Sequence, residues 1–426
     1  MKACLFTLGC KQNEVESASL MRGLEERGFE VTDELSYADL YLLNTCAVTA
    51  EAEKKSRQAV ARMRKFNPDA PVIVCGCAAE NDAAAFAKKE GVVLVTGAMR
   101  KDKIFEILAT PCLFSREGEG GREADGRECE VVRESEEAFC ELPAPKRTKT
   151  RAYLRIQDGC NRFCSYCLIP YLRGRTRSRK SESILNEALT SGAKEIVLTG
   201  IDISSYRDGD TDLGALLLKL KDVPARIRLG SVEAGIITED FLLKCKAAGN
   251  VCPHFHLSLQ SGSSAVLRAM NRKYTREEYL EKCALIYAHF PDAAITTDII
   301  VGYPTEDEED FLQSLSIVKE AGFARVHAFP FSPRKGTAAA KLKDLPAEVK
   351  KERMALMLKE GARAEKEYAS RFVGKTLIAL FEDDGGYTEN YLRVSAAGAR
   401  EGGMYEVNLK KADTDGINCE ILRECL

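Results

Sequence analysis

The 426-residue chain has room for two or three domains, and a net charge of −3 with 30% charged residues neither proposes nor excludes a nucleic-acid partner. No stretch approaches an apolar membrane span, and the apolar run after Met1 is too short for a secretory signal, so the expectation is no membrane and a cytoplasmic protein. In that reducing compartment clusters among the sixteen cysteines more often bind metal or do chemistry than form disulfides.

Residues 3–96 alternate short apolar strands (3–8, 29–32, 39–43, 72–74 and 92–95) with helical stretches at 14–27 and 51–65, a rhythm that predicts a parallel α/β sheet. Cys10, Cys46 and Cys77 each fall just beyond the carboxyl end of a predicted strand, the edge at which open parallel sheets gather ligands. Their spacing leaves two readings open, a metal centre or buried core thiols. Cys75, at the end of its strand, reads as a core residue. Between Ser115 and Glu141 ten acidic side chains, four basic ones and several glycines read as a solvated linker in which Cys129 and Cys140 need no role.

From Lys146 to Lys180 the sign reverses, with eleven Lys or Arg against the single acid Asp158. A basic patch there would attract phosphates, and Tyr153, Phe163, Tyr166 and Tyr171 are available for stacking on bases. Within the run, Cys160, Cys164 and Cys167 are separated by three and then two residues, after a predicted strand at 153–156. Three thiolates in one tight loop select zinc or an iron-sulfur cluster over hard cations. No fourth protein ligand lies nearby, which serves a closed zinc site poorly and leaves one metal position open for a substrate or cofactor.

Strands recur at 195–198, 226–229, 254–259, 294–301 and 324–329, interleaved with helical stretches such as 213–220 and 277–289. With 153–156 they make six βα units, so the expectation is an open, partial barrel with its working groups at the strand carboxyl ends. Polar residues collect there: Thr199 with Gly200, Glu233, Gln260 and Asp298. His254 and His256 share a strand face, and without carboxylate company they read as structural. Thr305 with Glu308 reads as a capping box opening a helix. A long charged helix follows at 348–371, and then short alternating strands at 376–381, 391–394, 404–408 and 417–422 suggest a small antiparallel barrel.

The loop Cys160-Asn161-Arg162-Phe163-Cys164-Ser165-Tyr166-Cys167 resembles that of radical S-adenosylmethionine enzymes, including the aromatic Tyr166 before the third cysteine. The segments around Leu8-Gly9-Cys10-Lys11-Gln12-Asn13, Asn44-Thr45-Cys46 and Cys75-Gly76-Cys77 resemble the cysteine motifs of the methylthiotransferase family, and Arg173-Gly174-Arg175-Thr176-Arg177 its segment after the cluster loop. Lys11, the segment 253–262 and Asn271-Arg272-Lys273-Tyr274-Thr275 are similar to the branch acting on threonylcarbamoyladenosine in tRNA, and the position of the last domain resembles TRAM, an RNA-binding barrel.

What the resemblance implies is a tRNA methylthiotransferase with two 4Fe-4S clusters. One, on Cys160, Cys164 and Cys167, chelates S-adenosylmethionine and cleaves it to a 5′-deoxyadenosyl radical. The auxiliary one, on Cys10, Cys46 and Cys77, carries a sulfur methylated by a second S-adenosylmethionine, which is delivered to adenine C2. Tyr166, Thr199, Gly200, Glu233, Gln260 and Asp298 are the implied cofactor contacts, and tRNA, an electron donor and a sulfur donor the implied partners. The expected fold is α/β: an N-terminal parallel-sheet domain (1–112), an acidic linker (113–145), a partial (β/α)6 radical S-adenosylmethionine barrel (146–370) and a TRAM-like antiparallel β-barrel (371–426). Rival readings are a methylthiotransferase of isopentenyladenosine tRNA or of a ribosomal protein aspartate and, from another class, a zinc-dependent RNA-binding protein without catalysis. The acids of 371–426, ten against seven Lys or Arg, argue against strong electrostatic RNA binding by the last domain.

Overall fold

The computed structural model describes residues 1–109, 129–132, 138–146, 150–383, 385–413 and 416–425. They form two compact units: Met1–Lys146 with Asp158–Phe163 and Cys167–Ser178, and Arg147–Gln157 with Cys164–Tyr166 and Arg179–Leu426.

In the first unit, strands β1 (Lys2–Thr7), β2 (Glu30–Thr32), β3 (Leu40–Thr45), β4 (Val72–Gly76), β5 (Val92–Thr96) and β6 (Glu130–Val132) make one sheet in the order 2-1-3-4-5-6. Every neighbouring pair is parallel. Parallel neighbours need crossovers, and the crossover helices cover both faces, which is why β3 and β4 are apolar and buried along their whole length. Tyr41, Leu43, Val72 and Val74 pack on one face, and Leu42, Ile73 and Cys75 on the other against Leu20 and Leu24. The strand β6 lies inside the stretch read as linker: Val131 and Val132 extend the sheet by pairing with Val95 and Thr96. Most of the rest of that acidic stretch lies outside the described residues. Cys129 packs at the margin of the core, and the Cys140 thiol donates to Asp102 Oδ1 at 3.5 Å.

In the second unit, β7 (Arg151–Arg155), β8 (Glu195–Thr199) and β9 (Arg226–Leu229) form a parallel sheet in the order 9-8-7. A second parallel sheet runs β10 (Ser231–Val232), β11 (His254–Leu257), β12 (Ala294–Val301) and β13 (Arg325–Pro330). Gly230 alone separates β9 from β10, and its N–H still donates to Leu198 O at 2.9 Å. The two sheets therefore share one interrupted strand, and six strands make the expected partial barrel. Leu154, Ile196, Leu198, Ile227, Leu229, Phe255, Leu257 and Ile295 alternate to one face and join the helices in a single core.

After the helix Ala347–Ser370, β14 (Thr376–Glu382), β15 (Gly385–Thr388), β16 (Arg393–Ser395), β17 (Met404–Asp413) and β18 (Gly416–Glu424) close into a barrel. Four of these strands are legible as alternation. The fifth, β15, carries Gly-Gly-Tyr-Thr and shows none. This barrel seats on the amino-terminal ends of the parallel strands. Arg226 donates to Tyr387 O at 2.8 Å, Arg228 to Thr388 O at 3.1 Å and Glu389 O at 3.1 Å, and the His254 ring stacks on Tyr391 with centroids 4.1 Å apart. Buried Glu195 balances Arg151, Arg226 and Arg228. Burial alone would raise its pKa, but the three guanidiniums, Arg228 foremost, hold it well below the usual carboxylate range.

Two local readings change. The helix Glu308–Glu320 is capped by Asp307 with Asp310 and not by Thr305 with Glu308. Glu306 turns inward to Arg353 (2.7 Å) and the Gly302 N–H (2.9 Å), which moves the helix start two residues along. His256 does have carboxylate company: its Nε2 lies 3.2 Å from Asp298 Oδ2, while Thr296 Oγ1 sits between the two imidazoles, 3.1 Å from His254 and 3.0 Å from His256.

Candidate functional site

The first unit brings Cys10, Cys46 and Cys77 to the carboxyl ends of three adjacent strands, β1, β3 and β4. Two glycines allow the approach. Gly9 has φ +116°, and a Cβ there would stand 2.7 Å from Cys46 Cβ and 2.8 Å from its sulfur. Gly76 has φ +97°, and its Cβ would stand 2.5 Å from Thr45 O. Only glycine fits such positions. Asn13 staples the two turns, its Nδ2 donating to Leu8 O (2.8 Å) and Thr45 O (2.9 Å). Cys10 is exposed at the start of the helix Lys11–Glu25, whereas Cys46 and Cys77 are buried. Cys75 points through the sheet into the opposite apolar core, which separates it from the other three.

Burial pushes the Cys46 thiol up to about 11, and neighbouring Cys77 and Cys10 push in the same direction. Burial likewise raises Cys77, opposed by the charges of Arg173 and Lys101. Two buried thiols, Cys46 and Cys77, that resist ionisation on their own suit a bound cationic centre, which deprotonates its thiol ligands outright. The Val48 N–H already donates to Cys46 Sγ at 3.5 Å. Among the described residues no three His, Cys, Asp or Glu side chains are arranged to hold a single metal ion.

Beneath these thiols lies a buried ionic network. Arg173, fully buried, donates to Glu16 at 2.8 and 3.1 Å, to Asn13 Oδ1 at 3.0 Å and to Asp158 Oδ1 at 3.0 Å. Lys101 pairs with Glu16 and reaches Asn44 Oδ1 at 3.1 Å. Among the described residues Arg173 Nε has no hydrogen-bond partner, an orphan donor that an anionic group at Cys77 would satisfy. Arg173 also continues into the cysteine loop, since the Cys160 N–H donates to Gly174 O at 3.1 Å. In that loop Arg162 N–H donates to Cys160 Sγ and Ile169 N–H to Cys167 Sγ, both at 3.4 Å. Such N–H···S bonds tune iron-sulfur clusters.

In the second unit Arg272 is the organising side chain. It donates to Cys164 Sγ at 3.5 Å, to Glu233 Oε1 at 2.7 Å and to Ser258 O at 3.1 Å, and Tyr274 OH braces it at 2.7 Å. Burial works against its charge, but Tyr274, Tyr166, Glu233 and Cys164 outweigh burial and raise its pKa. The other anticipated contacts divide. Glu233 stands one guanidinium away from Cys164, and Asp298 holds His256. Gly200 packs against Gln157, whose Oε1 accepts the Asp202 N–H at 2.7 Å, and the Thr199 carbonyl accepts the Ile156 N–H at 2.9 Å. Gln260 adopts φ +78° and bonds through its backbone to Asp298 and Ile300. Tyr166 packs beside Val266, Met270, Tyr303 and Phe331.

Among the described residues the basic run is divided, with Lys146, Arg175 and Lys180 exposed and others turned inward. Arg155, Arg173, Arg177 and Arg179 are buried, Arg151 serves Glu195, and Arg179 pairs with Glu187. Sequence reasoning therefore missed Arg173, Glu16, Lys101 and Arg272 as site residues. One signal was available: Gln12, Asn13, Glu16 and Ser17 put polar groups on the buried face of an otherwise amphipathic helix.

Residues 154–318 match the Radical SAM superfamily, and residues 2–97 match a family described as uncharacterized protein family UPF0004. The chain is 37% identical to the threonylcarbamoyladenosine tRNA methylthiotransferase MtaB of Aquifex aeolicus, over 95% of this chain and 98% of that protein. It is 35% identical to the Bacillus subtilis protein of the same name, covering 95% and 93% of the two chains. A Staphylococcus aureus tRNA-2-methylthio-N(6)-dimethylallyladenosine synthase is 32% identical, over 98% of this chain and 84% of that one. Among solved structures, the radical S-adenosylmethionine methyltransferase TsrM of Kitasatospora setae aligns with a TM-score of 0.57 at 14% identity, over 80% of this chain and 77% of that one, a likeness of fold.

Proposed function

Because this chain belongs to the radical S-adenosylmethionine methylthiotransferase family, we propose that it converts N6-threonylcarbamoyladenosine in tRNA to its 2-methylthio derivative. The observation that carries the reading is end-to-end similarity to relatives bearing that activity in their names, on a chain with two separate sets of three cysteines. The family implies S-adenosylmethionine and a 4Fe-4S cluster. We assign the cluster to Cys160, Cys164 and Cys167, and a second cluster to Cys10, Cys46 and Cys77. When bound, the first supplies the electron that cleaves S-adenosylmethionine to a hydrogen-abstracting radical, and the second presents the sulfur.

The chain's own residues position these groups. Arg272 donates toward Cys164 and holds Glu233 beside it, where a carboxylate suits the amino group of S-adenosylmethionine. Gly9, Gly76 and Asn13 set the three N-terminal thiols, and Arg173 places positive charge beside Cys77. An electron donor and a sulfur donor complete the reaction in the cytoplasm. Among the described residues no helix is long and apolar enough to cross a membrane.

Mass spectrometry of tRNA nucleosides from cells with and without the gene tests this. The expected result is loss of the 2-methylthio-threonylcarbamoyl nucleoside on deletion, restored by the wild-type gene and not by Cys164→Ala. The dimethylallyladenosine relatives favour a second reading, and loss of that 2-methylthio nucleoside instead would establish it.

A further inference from the structure

Of the aromatic residues near the cysteine loop, Tyr166 packs into an apolar cluster, but Tyr171 is 62% exposed. Phe163 meets Tyr171 edge to face, with ring centroids 5.4 Å apart. The exposed Arg175 guanidinium lies over the Phe163 ring at 4.6 Å. Phe163 itself has φ +50°, a left-handed backbone that a bulky aromatic residue rarely adopts. An outlier of this kind persists where surrounding structure enforces it, and such outliers gather at working sites. The loop thus holds a phenyl ring, a phenol and a guanidinium together at its surface.

Their chemistry fits unpaired nucleobases. Aromatic faces stack on any base, and an arginine beside them adds cation–π attraction and a phosphate contact. With Arg173, Arg177 and Arg179 of the neighbouring run buried in internal ion pairs, the charge left for RNA is reduced, and stacking gains weight. We propose that Phe163, Tyr171 and Arg175 form a stacking surface for the unpaired bases flanking the target adenosine in an RNA loop. This rests on the tRNA reading above. It adds where and how the loop is held, by base stacking on the segment that carries Cys160 and Cys164.

The test uses the anaerobically reconstituted full chain and an anticodon stem-loop RNA with 2-aminopurine beside the target adenine, read by fluorescence quenching and anisotropy. Tyr171→Ala should weaken binding about 5- to 100-fold and reduce quenching at unchanged iron content, while Tyr171→Phe keeps both. Phe163→Gly should relieve the left-handed backbone, leave the melting temperature equal or higher, and still lower RNA affinity. Binding and quenching by Tyr171→Ala equal to wild type would overturn the stacking surface alone. Failure of the wild-type chain to bind the RNA at all would overturn it together with the tRNA reading.

Discussion

The two cysteine sets differ in what makes each of them a site. Cys160, Cys164 and Cys167 are neighbours along the chain, so any compact loop keeps them together, and the fold contributes N–H···S bonds and Arg272. Cys10, Cys46 and Cys77 meet only because β1, β3 and β4 are adjacent in a parallel sheet and end level with one another. The distant set accordingly carries the strained glycines, the Asn13 staple and the buried ions. A site assembled by tertiary structure concentrates its vulnerability in residues that bind nothing themselves.

The largest effect that would sharpen this contrast is expected from Gly9→Ala. The new methyl would stand 2.7 Å from Cys46 Cβ at a φ of +116°, so the N-terminal thiols must part. Anaerobic iron and sulfide assays should show about half the wild-type content per chain, while reductive cleavage of S-adenosylmethionine at the local loop persists. Wild-type iron content would break the comparison. Next comes Arg173→Leu, which leaves Glu16 and Asp158 buried without their shared guanidinium. Removing one partner from a buried ion network costs about 3–5 kcal/mol, measurable by urea unfolding under nitrogen. A loss below about 1 kcal/mol would show that the network relaxes around Lys101 and Arg177. The smallest effect is expected from Cys75→Ala, roughly 1 kcal/mol of stability with iron content intact, because this thiol fills the opposite core. Cys77→Ala should instead lose iron, and the reverse pattern would exchange the two assignments.

Much of the architecture was legible because hydrophobic periodicity is a local signal. The apolar runs of β3 and β4, the eight-residue β12 and the long helix Ala347–Ser370 all lie where alternation and helical spacing put them. The errors fell where polar residues have tertiary partners. The run from Lys146 to Lys180 reads as a basic patch, yet Arg173 and Arg177 turn inward to Asp158, and Arg151 to Glu195. The Thr305 cap fails because Glu306 is drawn to Arg353, a residue forty-seven positions away. Charge counting treats each side chain as solvated, and these are not.

The sequence by itself determined the chemistry: thiol spacing in the local loop, the three-cysteine pattern at strand ends, six βα units and their order. Those features depend on covalent neighbours and on periodicity, which need no fold to be read. Tertiary structure sets Cys77 beside Cys46 and Cys10 while Cys75 fills the opposite core, because the strand ends at Gly76, whose φ of +97° breaks the alternation before Cys77 opens the next helix. It also decided that Arg173 and Arg272, indistinguishable in sequence from surface arginines, are the buried cations beside the two cysteine sets. The cost of burying a charge is met only by partners that the folded chain brings from elsewhere.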